Sequence, residues 1–289
     1  MPAGDVLELT ASHPTEGVAF YTLDQRPGSS PRFIRGERCS QCHLLPDSGG
    51  TLGLLMMSVL PRLPGDRRPV QGWPVDLRTP VVDRWGGWYV TGKRLPPRHR
   101  GTVISAGTAA PIGTGGTPAH AELARYAAPS SDVVALLVLT HQVHVTNAIV
   151  RLGRELQASS STKLSARARV LVTELADALL STGAAPLTSP VEGALAFVRW
   201  FEGQGRRDDQ ERTLRTLDLS DRLFRYPLSY MIESTAFGNL PAAARAAVYL
   251  EVRDRLDRSA RNSGLASDER ARWQAALEIV RHTQPEFGK

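Results

Sequence analysis

The sequence predicts a mainly α protein of two textures: a loop-rich N-terminal half over residues 1–129 and a helical half over residues 130–289 that packs over it, as one continuous domain or two. Three observations predict this. Fifteen of the twenty prolines and seventeen of the twenty-five glycines precede residue 130, which breaks that half into turns and short elements. Beyond it, apolar residues recur at three- and four-residue steps, the period of an amphipathic helix. At 289 residues, with 42% hydrophobic and 22% charged side chains, the chain is long enough to bury a substantial core.

The clearest helix covers 131–157. Ser131 suits its N-cap and Asp132 the positive end of its dipole. Val134, Leu137, His141, His144, Ala148 and Leu152 then share one face. Its first half, Val133 to Leu139, is apolar all round, which makes it central to the fold. A second helix is expected over about 163–182, on the stripe Leu171, Leu175 and Leu179. A third is expected to start at Ser189-Pro190-Val191-Glu192, a capping box with proline at the first helical position, and to bury Val191, Leu195 and Val198. Further helices are expected at about 207–217, 241–258 and 268–282, with Pro241 and Ser267-Asp268-Glu269 as start signals.

Several function classes fall away. Basic and aromatic residues do not interleave, so no nucleic-acid partner is expected. No run of eighteen apolar residues occurs, so no integral membrane segment is expected. Gly113-Thr114-Gly115-Gly116 leads into Thr117-Pro118, which is not phosphate-loop spacing. His141 and His144 lack the spacing and the glutamate of a zinc-protease motif. The net charge of +6 can favour anionic partners, such as an acidic redox protein or lipid headgroups, but solvation of Arg-rich helices is the stronger account of it.

The chemistry concentrates at Cys39-Ser40-Gln41-Cys42-His43. Two thiols on one helical turn can each add to a vinyl group of the same porphyrin, and the adjacent histidine then lies under the ring and binds iron. The motif therefore predicts one covalent haem c, carried in the loop-rich half, with His43 as an axial ligand. Three alternatives remain: a redox dithiol, a zinc site and a chance occurrence of the spacing. A thioredoxin-like dithiol would open a long helix, whereas Pro46 stops this one. A structural zinc site needs four ligands, and these are the only two cysteines.

The sixth ligand is open among His99, His141, His144, Met56, Met57 and Met231, with His141 preferred as a second metal ligand from the central helix. Met56 and Met57 sit on the apolar segment Leu52–Leu60, where a methionine is more often core than ligand. Trp85 and Trp88, in Arg84-Trp85-Gly86-Gly87-Trp88-Tyr89, are candidates for a wall of the haem pocket or an aromatic path to the surface; the alternative is a loop pinned by its aromatics. His99, between Arg98 and Arg100, is a candidate donor to a propionate or an exposed residue of a basic loop. Arg35 and Arg38 flank the attachment site and can pair with propionates. His13, His120 and His282 read as surface residues.

The motif resembles that of the c-type cytochromes. Phe20-Tyr21-Thr22-Leu23-Asp24-Gln25, Arg84 to Gly92, His141-Gln142 and Arg222 to Tyr230 extend the resemblance to larger bacterial mono-haem cytochrome c proteins. It implies haem binding and electron transfer with a redox partner protein. Covalent attachment of haem takes place outside the bacterial cytoplasm, so a periplasmic or otherwise exported protein is expected. Met1-Pro2-Ala3-Gly4-Asp5 shows no signal peptide, so the chain reads as a trimmed mature form. The helical mass beyond a minimal haem wrapper leaves room for a substrate pocket, a partner surface or a homo-oligomer interface. A haem-dependent oxidoreductase acting on peroxide, a nitrogen oxide or an organic substrate is the alternative to a carrier.

Overall fold

The computed structural model describes residues 5–13, 17–26, 28, 30–44, 52–60, 71–101, 130–158 and 163–288. His120 and the Gly113–Gly116 segment lie outside them, as does the side chain of Cys42.

The expectation of a mainly α protein is corrected. Among the described residues helix accounts for 44% and strand for 14%, and the N-terminal half is built on two small antiparallel sheets. Strand β1 (Val6–His13) pairs with β2 (Gly17–Asp24) from Val6 opposite Asp24 to His13 opposite Gly17, and β2 pairs with β3 (Phe33–Arg35). Helix α1 (Ser40–His43) is a single turn that follows a 3-10 turn at Glu37–Cys39. Strands β4 (Met57–Val59) and β5 (Gly72–Pro74) form the second sheet. Val18, Ala19 and Phe20 of β2 are buried, and Val18 and Phe20 cluster with Val150.

The second half carries the long helices α2 (Val133–Gln157), α3 (Ala166–Leu179), α4 (Leu195–Gly203), the single turn α5 (Thr235–Gly238), α6 (Ala242–Arg261) and α7 (Ser267–Thr283). Asp132, rather than Ser131, caps α2, its carboxylate accepting from the amides of Val134 and Ala135. Ser165 caps α3 by accepting from Ala168. Helix α2 is long and apolar enough to cross a membrane, but 72% of its most apolar stretch is buried inside the protein, so it acts as the core helix. Val138, Val145, Ala148, Ile149 and Leu152 join the large C-terminal core with Leu175, Phe201, Val248 and Leu277. Val133, Val134, Leu136, Leu137 and Val143 join a second cluster with Met56, Trp85 and Val90. Burying each such aliphatic side chain stabilises the fold by about 1.5–3 kcal/mol.

One expected helix starts late and another does not form. The capping box at Ser189–Glu192 starts no helix there, because Glu192 pairs its backbone with Arg94 and the Val191 amide bonds to Leu219. Helix α4 begins only at Leu195, where Asp132 also takes the Ala194 amide. Over 207–217 the carboxylate of Asp208 accepts from the amides of Gln210 and Arg212, a local side-chain bond that competes with helix.

Candidate functional site

The site is assembled from α2 outward. Asn147 projects from α2 and clamps the backbone of Leu54 on both sides. Its Oδ1 accepts from the Leu54 amide at 2.8 Å and its Nδ2 donates to the Leu54 carbonyl at 2.9 Å. This fixes Gly53, whose amide donates to the His43 carbonyl at 3.3 Å and whose carbonyl accepts from His43 Nδ1 at 2.8 Å. A carbonyl only accepts, so Nδ1 carries the proton and the lone pair lies on Nε2. That is the tautomer a metal-ligating histidine needs. Phe20 packs on the His43 ring at 4.3 Å between centroids, and Cys39 packs against the cluster of Val18, Phe20 and Val150 with Leu52 and Leu54. Gly36 gives the thiol room: a Cβ there would fall 2.8 Å from Cys39 Sγ, which would have to shift.

His43 lines a cavity of about 690 Å³. Leu54, Leu55 and Met56 form one side, Pro74 to Asp76 with Arg78 and Thr79 another, and Val143, His144, Asn147 and Arg151 of α2 a third. Glu174, Asp177 and Thr182 close it. Its charges are paired. Asp76 meets Arg78 at 2.5 Å and His144 Nδ1 at 3.5 Å, Arg151 meets Glu174 at 3.1 Å, and Arg255 meets Asp177 at 2.5 Å. Burial raises the pKa of Asp76, but the hydrogen bonds from His144 and Arg78 outweigh it and hold the carboxyl well below its ordinary value. With Nδ1 of His144 toward Asp76, its Nε2 is the nitrogen left for the cavity. Met56 is buried, with its sulfur 3.2 Å from Thr140 Oγ1, whose proton is donated to the Leu136 carbonyl at 2.8 Å.

His141, the preferred sixth ligand, is not at this cavity. It is 2% exposed, its Nε2 is hydrogen-bonded to Ser229 Oγ at 2.6 Å, and Phe224 and Tyr230 pack around its ring. It lines a second, smaller cavity instead. Burial, with a smaller contribution from the charge of His144, lowers its pKa to about 3, so it stays neutral.

Trp85 and Trp88 also lie away from the His43 cavity. Trp85 is fully buried among Val81, Val90, Val133 and Val134, at φ 69°. Trp88 donates from Nε1 to the Met57 carbonyl at 2.7 Å, and the Gly86 amide donates to Ser58 Oγ at 2.9 Å. The aromatic segment is thus pinned onto β4. His99 is fully buried against Trp85, not exposed, and its Nδ1 accepts from the Gly101 amide. Met57 lies in β4, and Met231 is buried in the C-terminal core. Arg38 is exposed immediately before Cys39.

Sequence reasoning missed Gly53, Asn147 and Asp76. Asn147 carried a signal, a polar residue interrupting an apolar helix; Gly53 and Asp76 carried none. No family model, curated protein or solved structure matches the chain.

Proposed function

We propose that this chain is a mono-haem c-type cytochrome, a redox protein that exchanges electrons with a partner protein. The observation that carries the reading is the bond from His43 Nδ1 to the Gly53 carbonyl, at the end of the Cys39–His43 motif and beside a cavity of about 690 Å³. That volume falls within the roughly 300–1,000 Å³ usual for ligand and cofactor sites. Cys39 and Cys42 would hold the haem and His43 would bind its iron. The His144–Asp76 contact supports His144 as a second residue that would bind the iron, with Met56, on another side of the cavity, as its competitor. Arg38 is available to a propionate. When bound, the haem supplies a one-electron couple.

The residues around it have definable tasks. Asn147 and Gly53 orient His43 and keep Nδ1 protonated. Asp76 does the same for His144, and Leu54, Leu55 and Val143 exclude water from part of the wall. The resemblance to c-type cytochromes supports the same reading, and an exported location follows from it.

A second reading, a haem enzyme acting on a small molecule, is favoured by one observation: the Asp76–His144 pair with Arg78 supplies proton-handling groups inside the cavity. Spectra of the oxidised and reduced protein, with and without carbon monoxide or cyanide, separate the two. A low-spin spectrum insensitive to both ligands is the expected result. Rapid ligand binding selects the enzyme, and failure to take up haem through Cys39 and Cys42 during export overturns both.

A further inference from the structure

The second cavity, about 330 Å³, lies on the other side of the segment Asp76–Thr79. Its wall is largely apolar, with Leu77, Leu137, Leu180, Leu187, Phe224 and Trp273. Arg84 lines it too, and Arg84 is only 4% exposed. Arg84 Nε donates to the Thr79 carbonyl at 2.7 Å and one terminal nitrogen, Nη2, donates to the Leu77 carbonyl at 2.8 Å. Among the described residues no carboxylate forms an ion pair with it. Carbonyls satisfy two of its nitrogens but supply no countercharge. A buried charge without one is expensive, and this burial lowers the guanidinium pKa to about 10, against a small opposing pull from Asp76.

The other charges on this cavity cancel. Arg222 pairs with Asp221 at 2.8 Å and with Glu269 at 3.2 Å, and Arg272 pairs with Glu269 at 2.8 Å. His141 is neutral. One positive charge is left over, at the wall of an apolar chamber. The backbone holds it there. Arg84 ends the 3-10 turn Val81–Asp83, and Trp85 after it adopts a left-handed φ of 69° while fully buried. A tryptophan persists in that conformation only where its surroundings over-determine it.

We infer that this cavity binds a small monocarboxylate with an apolar body, its carboxylate on Arg84 and its body among Leu137, Leu187, Phe224 and Trp273. A carboxylate accepts from a guanidinium with charge-assisted hydrogen bonds and supplies the missing countercharge. An apolar chamber of this size is otherwise suited to an aliphatic or aromatic body.

Calorimetric titration of the full chain with octanoate, and separately with octan-1-ol, tests this. Octanoate should bind one per chain, at least about tenfold more tightly than the alcohol, the ratio expected for a charge-assisted contact. Arg84→Gln should abolish that preference. Ala185→Phe fills the chamber from a half-buried wall position and should block octanoate even if Arg84→Gln does not fold. Equal binding of the alcohol, binding that survives Ala185→Phe, or no octanoate binding at all would each overturn the assignment. None of these outcomes depends on haem, so failure here leaves the His43 reading intact.

Discussion

Two cavities share one stretch of chain and one helix, yet they have opposite character. Along Asp76–Thr79, Asp76, Arg78 and Thr79 face the larger cavity while Leu77 faces the smaller. Along α2, Val143, His144 and Asn147 face the larger while Leu137 and His141 face the smaller. The larger is polar with every wall charge paired, and the smaller is apolar with one charge left over. Two histidines three residues apart therefore have different chemistry. His144 is held by a carboxylate, and His141 is sealed among aromatics with a serine. Spacing brought them onto one helix face; their partners decided what each can do.

The comparison can be broken most directly at His43. In haem-loaded protein, His43→Ala should abolish the low-spin spectrum while octanoate binding stays unchanged; an unaltered spectrum would remove His43 as axial ligand. The next effect is on pH-dependent stability. His141 has a folded pKa of about 3 against an ordinary 6.5, so the unfolded state takes up its proton first as pH falls. Stability is then full above pH 6.5 and declines toward pH 3 with a slope of up to about 1.4 kcal/mol per unit. Denaturant melts of His141→Gln across that range should show the slope flattened. If it persists, another group causes it.

Smaller still, His141→Ala should cost about 1–3 kcal/mol at neutral pH by leaving the buried Ser229 hydroxyl with the Met231 amide but without its imidazole partner. Its haem spectrum should match the parent, whereas His144→Ala should change it; the reverse pattern would exchange the roles of the two cavities. Smallest is Glu192→Gln at the exposed ion pairs with Lys93 and Arg94, where a melting curve should register less than about 1 kcal/mol and neither cavity should respond.

The long helices were legible because their signals are local. Apolar periodicity marks α2 and α3, and start signals mark α6 and α7, with Pro241 just before the one and Ser267-Asp268-Glu269 opening the other. The β1–β2 hairpin is less legible: Val6-Leu7-Glu8-Leu9-Thr10-Ala11 carries strand formers, but the proline and glycine content of that half points to turns and short elements. Ser189–Glu192 had the right residues for a helix start, but Arg94, a hundred residues upstream, claimed its backbone. The Cys39–His43 spacing stands out for the same local reason as the helices. The cavity beside it does not, since five separated segments between His43 and Thr182 converge on it and none marks its destination.

Helix α2 supplies side chains to all three apolar clusters, including Val150 beneath the β1–β2 sheet. Neither half can come apart while keeping this helix in place for the other. The consequence is thermodynamic cooperativity. Despite the contrast between its halves, the molecule should melt in one transition, with matching calorimetric and van't Hoff enthalpies, and amide exchange along α2 should report the global unfolding free energy at every buried position.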